Sequence, residues 1–330
     1  MRILLTGANG FVGTAVQARV RAEAGCSVRA AVRSAAAAAS LPAGSDVCVV
    51  GDLDADTDWR AALAGVDVVV HCAARVHVMR ETAADPQAEF RRVNRDATLA
   101  LARAALAAGC RRLVFLSSVK VNGEASAPGQ PFRADDLPAP QDAYGLSKLE
   151  AETGLLALAA NSALEVVIVR PPLVYGPGVK GNFRTMMRVL RAGWPLPLAA
   201  VRNRRSLIAV DNLADLLLCC ARHPAAAGRV WMAADGEDLS TPDLLRRLGA
   251  ALGRKPWLLP VPAGALRAAA ALFGRGAALQ RLCASLQVDA TPARQLLGWL
   301  PPQSVSAALA ACADDFLCRP PAVAGAGAAA

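Results

Sequence analysis

Thr6-Gly7-Ala8-Asn9-Gly10-Phe11-Val12-Gly13 follows the short apolar run Ile3-Leu5 and leads into a stretch of helical periodicity. Glycines at 7, 10 and 13 permit a tight turn, close approach of backbone to a pyrophosphate, and contact between helix and sheet. The helix that follows turns its first N–H groups toward the phosphates. Three spaced glycines are weak evidence alone. Placed on a strand and before a helix, they read as the opening of a dinucleotide-binding β-α-β unit, with Gly7, Gly10, Phe11, Val12 and Gly13 against the cofactor.

The rest of the amino-terminal half repeats that alternation. Strands are expected at Ile3-Leu5, Val28-Val32, Val47-Val50, Val66-Cys72, Leu113-Leu116 and Val166-Val169, with helices near 12–24, 57–64, 86–108 and 144–160. Strands apolar on both faces, separated by helices, make a parallel sheet covered on both sides. The fold class expected is α/β: a doubly wound, Rossmann-like sheet over 1–172, with some sheet segments returning later. After Arg170-Pro171-Pro172 the alternation stops and Pro, Gly and helix-like runs dominate, as suits a smaller substrate region over 173–321. The Ala-rich tail 322–330 reads as disordered, and Ala35-Ala39 as low complexity.

Composition narrows the function classes. Of 330 residues, 54% are hydrophobic and 19% charged, so a large core is affordable and disorder is excluded for most of the chain. The net charge of +9 comes from 36 Lys+Arg against 27 Asp+Glu. Its cations are scattered, with no nucleic-acid stripe. Nine Cys and three His lack metal-ligand spacing: no Cys-x-x-Cys occurs, and His71, His77 and His223 stand far from most thiols. The thiols read as reduced and buried in a cytoplasmic protein, and no apolar run is long enough to span a membrane.

Tyr144 and Lys148 stand at i and i+4 of a predicted helix and emerge on one face. A phenol with an ordinary pKa of about 10 is a poor acid–base catalyst at neutral pH, and a neighbouring ammonium favours its phenolate. Ser118, at the end of a strand, can donate to a substrate oxygen.

These residues in this order resemble the short-chain dehydrogenase/reductase superfamily, in its extended, nucleotide-sugar branch (the NAD-dependent epimerase/dehydratase family), over roughly residues 1–315. The G-x-x-G-x-x-G spacing belongs to it. So do Asp52-Leu53 beside the adenine, His71-Cys72-Ala73-Ala74 lining the cofactor, and Asn94 supporting the central sheet. Leu116-Ser117-Ser118 and Tyr144-Gly145-Leu146-Ser147-Lys148 match the catalytic Ser and Tyr-x-x-x-Lys, with Lys148 also on the nicotinamide ribose. Arg170-Pro171-Pro172-Leu173-Val174-Tyr175-Gly176 resembles the turn on the nicotinamide side, which includes Pro171.

The resemblance implies an NAD(P) enzyme acting on a UDP-sugar. Val32 stands where members that use NAD carry an acidic residue, and Arg33 follows it, so NADP(H) is expected over NAD(H). Val119-Lys120 stands where 4,6-dehydratases have Asp-Glu, and Asn122 where epimerases have Tyr. The chain looks closest to O-antigen-cluster proteins. The leading expectation is therefore NADPH-dependent C4 reduction of a UDP-4-keto-6-deoxy-N-acetylhexosamine. UDP-hexose or UDP-N-acetylhexosamine 4-epimerisation is the alternative, and non-catalytic NADP sensing a distant one. Asn182 resembles the Asn that contacts the sugar nucleotide, and Arg205 aligns with a diphosphate-binding Arg. Arg281 is only a loose match for the family's second Arg. Lys120 and His77 are weaker candidates for the sugar pocket. The stretch Ala263-Leu282 reads as a packed helix pair. Helices 86–108 and 144–160 commonly pair in this family, so a homodimer is expected.

Overall fold

In the computed structural model, which describes residues 1–76, 85–127, 129–262, 264–266 and 282–318, the expected alternation is present. It runs β1 (Arg2–Thr6), α1 (Phe11–Arg21), β2 (Ser27–Val32), α2 (Ala35–Ala39), β3 (Asp46–Val49), α3 (Arg60–Leu63) and β4 (Val68–His71). It continues through α4 (Pro86–Arg91), a π-helical turn (Arg92–Asp96), α5 (Ala97–Ala107), β5 (Arg112–Leu116), a 3-10 turn (Val119–Val121), α6 (Ala143–Ala160) and β6 (Glu165–Arg170). Then follow β7 (Leu173–Tyr175), α7 (Gly181–Ala192), β8 (Leu207–Ala209), α8 (Val210–Arg222), β9 (Arg229–Met232), α9 (Thr241–Ala251), α10 (Thr291–Leu297) and α11 (Val305–Cys318).

Seven strands form one parallel sheet in the order β3-β2-β1-β4-β5-β6-β9. Alternate residues of each strand feed opposite cores, as a strand's two-residue period requires. Ile3, Leu5, Val68 and Val70 pack with α1 and α8, while Leu4, Val69, Phe115 and Ile168 pack with α5 and α6. The strand order reverses at β1, which pairs with β2 on one side and β4 on the other. At such a switch point the carboxyl ends of the strands leave a crevice for ligand.

A third core, including Phe183, Met187, Leu248 and Leu309, joins α7, α9 and α11. Its parallel β7-β8 pair is tied to the large sheet by Asp235 just beyond β9. That carboxylate accepts from Tyr175 Oη (2.9 Å), Ala209 N (3.0 Å) and Asn212 Nδ2 (2.7 Å). Of the three short strands beyond residue 172, β9 is a sheet segment of the kind expected to return later, whereas the separate β7-β8 pair departs from the mainly helical expectation there. Helix 57–64 shortens to the single turn α3, and 86–108 is broken by the π turn. Ala35–Ala39 is one helical turn capped by Ser34. The thiols are all free, but only Cys110, Cys220 and Cys312 are buried, and Cys318 is exposed. The expected tail 322–330 and nearly all of 263–282 lie outside the described residues.

Two buried polar networks hold the crevice. His71, fully buried, accepts at Nδ1 from Thr6 Oγ1 (2.6 Å), because its Nε2–H must donate to Thr98 Oγ1 (2.9 Å). That tautomer is dictated by the neighbours: Thr98 spends its own proton on Asn94 O (2.8 Å), and Thr6 Oγ1 also accepts from Ala73 N (3.2 Å). In the second network Arg170 on β6 makes a two-pronged bond to Glu152 on α6, with contacts of 3.0 and 2.5 Å. Ser117 donates to the same carboxylate, and Asn122 Oδ1 accepts from Arg170 (3.0 Å).

Burial, aided by the nearby Lys148 ammonium, pushes His71 down to about 3 from its ordinary 6.5. The unfolded chain therefore takes up this proton first. The contribution is complete above pH 6.5 and is lost as pH falls toward 3, at about 1.4 kcal/mol per pH unit. Urea unfolding of His71→Asn across that range should lack this component of the slope. Arg170→Met should cost about 3–5 kcal/mol by the same measurement, because it strands the Glu152 charge in the interior.

Candidate active site

The loop between β1 and α1 is closed too tightly for any residue but glycine at its key positions. Gly7 has φ +66°, and a β-carbon on it would lie 2.8 Å from Ala73 N. A β-carbon on Gly13 would lie 2.1 Å from Gly7 O, so the first turn of α1 rests directly on the loop. Gly10, the N-cap, leaves the helix end without a side-chain cap. Uncapped N–H groups of Phe11, Val12 and Gly13 beside open backbone are what a dinucleotide pyrophosphate needs, and the residues fit that group. Ala73 and Ala74 form the facing wall beyond β4, half-buried.

Ser118 leaves β5 as the N-cap of the 3-10 turn, its Oγ accepting from Lys120 N (3.2 Å). Its hydroxyl stands close enough to the phenol of Tyr144, in the first turn of α6, to ease ionisation of that phenol. Asp142 starts that helix by accepting from Gly145 N at 2.7 Å. Lys148, one turn further on, is buried; its Nζ donates to Leu116 O (2.9 Å) and lies 4.4 Å from the centre of the Phe115 ring. Three side chains from β5 and α6 thus converge at the carboxyl end of the sheet.

Burial governs their acidities. The Tyr144 phenol is pushed up to about 12 chiefly by desolvation, with the Asp142 carboxylate adding and the Ser118 hydroxyl opposing. Desolvation pushes the Lys148 ammonium down to about 8, against the pull of Cys72 and Glu152. Burial thus draws the two acidities apart and favours the neutral form of both groups, so a phenolate forms here only when further positive charge stands beside it.

The other expected residues are dispersed around this centre. Asn94 sits in the π turn, wholly buried, its amide bonded to Arg75 N (2.8 Å), Arg75 O (3.0 Å) and Ser147 Oγ (3.0 Å). It holds backbone and helix together around the crevice. Pro171 accepts from Val119 N at 3.0 Å and so abuts the Ser118 turn. Leu53 is half-buried against the core, while Asp52 and Arg33 are exposed beyond β3 and β2. Asn182 is exposed in the first turn of α7. Arg205 is half-buried between Leu239 and Leu286 and donates to Ala284 O (3.1 Å), and burial pushes the pKa of its guanidinium down. Lys120 is engaged by Glu124 and Asp142. His77 and Arg281 lie outside the described residues.

Asn122, which departs from the epimerase pattern, points inward to Arg170 and to Arg133 O (2.8 Å). Its side chain is spent on the interior, so the departure does not distinguish one reaction from another. The Glu152–Arg170 pair and Asp142 were not anticipated. Glu152 stands at i+4 from Lys148, a spacing that puts it on the buried face of α6, and Asp142 three residues before Gly145 carries the ordinary signature of an N-cap.

Residues 3–234 match the NAD dependent epimerase/dehydratase family. A Vibrio cholerae protein named UDP-glucose 4-epimerase is 44% identical over 316 residues, which cover 96% of this chain and 95% of that protein. In structure, MoeE5 in complex with UDP-glucose and NAD is similar with a TM-score of 0.74 at 26% identity, over 96% of this chain and 99% of that one. UDP-glucuronic acid 4-epimerase from Bacillus cereus in complex with NAD has the same coverages and a TM-score of 0.76 at 22% identity, a likeness of fold. No helix among the described residues is long and apolar enough to cross a membrane. The chain is an enzyme of the NAD dependent epimerase/dehydratase family, built on the Rossmann-like sheet of that family.

Proposed function

We propose that the protein oxidises and reduces C4 of a UDP-linked hexose, acting foremost as a UDP-hexose or UDP-N-acetylhexosamine 4-epimerase. The observation that carries this is the convergence of Ser118, Tyr144 and Lys148 beside the glycine cradle. The 44% identical relative supports the epimerase reading over the reduction expected from sequence. When bound, the nicotinamide supplies a reversible hydride acceptor at C4 and a positive charge near the phenol.

The protein's own part is acid–base chemistry and positioning. Tyr144, as phenolate, takes the proton of the C4 hydroxyl as the carbonyl forms, and gives it back when the alcohol is restored on the other face. Ser118 holds that oxygen through its hydroxyl. Lys148 lowers the cost of the phenolate and reaches the ribose. The loop Gly7, Gly10, Phe11, Val12 and Gly13 holds the pyrophosphate. Asp52 and Leu53 take the adenine side, Ala73, Ala74 and Asn94 the facing wall, and Pro171 the nicotinamide side. Asn182 and Arg205 hold the sugar nucleotide, the guanidinium offering paired donors to phosphate oxygens. The reading includes a homodimer through the 86–108 and 144–160 helices, where Leu156 of α6 stays exposed.

One observation favours a second reading, NADPH-dependent reduction of a UDP-4-keto-6-deoxy-N-acetylhexosamine. Arg33 is exposed directly after Val32, where no carboxylate is present to bind a ribose diol. A cation there suits a 2′-phosphate.

Tyr144→Phe should lower turnover by about 10²–10⁴-fold with cofactor affinity nearly unchanged; wild-type turnover would refute its role. Arg33→Ala should weaken NADPH binding more than NADH binding in a fluorescence titration, and equal effects would refute the 2′-phosphate assignment. Parallel incubations with UDP-glucose, UDP-N-acetylglucosamine and the 4-keto-6-deoxy sugar separate the reactions. Interconversion of C4 epimers without net cofactor loss is expected. Stoichiometric NADPH loss with the keto sugar, and no epimer, would make the second reading correct.

A further inference from the structure

The turn that carries Ser118 and the helix that carries Tyr144 meet along a seam outside the catalytic three. Lys120 lies two residues beyond Ser118, and its ammonium contacts both Glu124 (3.2 Å) and Asp142. The two oxygens of Asp142 are divided: Oδ1 caps α6 at Gly145 N, and Oδ2 takes Lys120. The backbones are equally close. A β-carbon on Gly145 would lie 2.8 Å from Lys120 O, and Ala139 N donates to Val121 O at 2.9 Å. Gly145 follows Tyr144 directly, so any slip along this seam moves the phenol relative to Ser118.

We propose that Lys120 and Asp142 are positioning residues: their ion pair clamps the Ser118 turn to the start of α6 and sets the charge felt by the Tyr144 phenol. The inference rests on the reading of Tyr144 as the proton-transfer group. An ion pair suits this place because it is half-buried, where attraction between charges is stronger than in open water. The Asp142 carboxylate opposes formation of a phenolate two residues away, and the Lys120 ammonium paired with that carboxylate would offset part of its charge. Removing either partner alone therefore changes both the geometry and the local charge, in opposite electrical senses.

Other titratable groups also surround Tyr144. Lys148 lies on its own helix, and the Cys72 thiol, pushed up to about 12 by burial, lies near Lys148 beyond β4. The Arg75 guanidinium stands 5.6 Å from the Phe90 ring, which packs edge-on at 6.2 Å to Tyr144, and Glu89 and Arg91 flank Phe90 on α4. These stay constant in variants of the seam, so differences between variants report on the pair.

The test is the pH profile of kcat in the oxidative direction for Lys120→Met, Lys120→Arg, Asp142→Asn and the double variant Lys120→Met/Asp142→Asn. Asparagine keeps an oxygen for the cap and removes the charge. Lys120→Met should lower kcat about tenfold, with KM for the sugar nucleotide little changed, and should move the rising limb to higher pH by about half a unit. Asp142→Asn should move the limb to lower pH. The double variant should return it close to wild type, and Lys120→Arg should restore both kcat and profile. Limbs that stay put, or that shift in the same direction in both single variants, would overturn the proposal. So would a raised KM at unchanged kcat, which would make Lys120 a substrate contact. Tyr144→Phe separates the two levels: full turnover in that variant removes the underlying reading, whereas its inactivity alongside unmoved limbs removes only the clamp.

Discussion

The crevice depends on a continuous line of largely buried hydrogen bonds. It runs from Ala73 N through Thr6, His71 and Thr98 to the carbonyl of Asn94, and from the Asn94 amide through Ser147 to the carbonyl of Tyr144. Each hydroxyl is both donor and acceptor, so the proton arrangement at one end fixes it at the other. The first strand, the wall opposite the glycine loop and the helix bearing Tyr144 are thereby held in one register. The π turn belongs to the same arrangement: the widened helix carries Asn94 inward, where it holds both polar atoms of the Arg75 backbone.

Electrostatics at the site are the counterpart of that order. The interior that makes the hydrogen bonds strong also makes charge costly, and both Tyr144 and Lys148 are driven toward neutrality. Lys148 is compensated by a carbonyl, an aromatic face and, a turn away, the Glu152 carboxylate. Glu152 is in turn neutralised by Arg170, the last residue of β6. Charges are thus layered behind these groups, with the half-buried Lys120–Asp142 pair completing the set on the outer side.

Much of this was legible in the sequence. The glycine positions, the alternation through β6 and the Tyr144–Lys148 spacing are local signals, each confined to a few neighbouring residues. That some sheet segments return beyond 172 was legible, but their places were not, because Leu173–Tyr175, Leu207–Ala209 and Arg229–Met232 are too short for a period of two to stand out. Their pairing is decided by distant partners such as Asp235. The same is true of Arg170 with Glu152: each residue looks ordinary until the sheet brings them together across 18 positions. Arg33, Asp52, Asn182 and Arg205 were singled out by likeness to a family whose members bind ligands there, a signal that protein contacts do not carry.

The outer strand β9 has a consequence for how the molecule is made. It pairs with β6, although the whole stretch from Pro171 to Gly228 intervenes in the chain. During synthesis the sheet therefore waits, with the β6 edge from Val167 to Arg170 unpaired, until the substrate-side segment has emerged and delivered Trp231 to its buried seat. An apolar parallel edge left open that long is a template for joining another chain. The two lobes are thus bound together in time as well as in space. A fragment ending near residue 172 would hold the whole glycine cradle and all three reactive side chains, yet it would be prone to clump before it ever met a nucleotide.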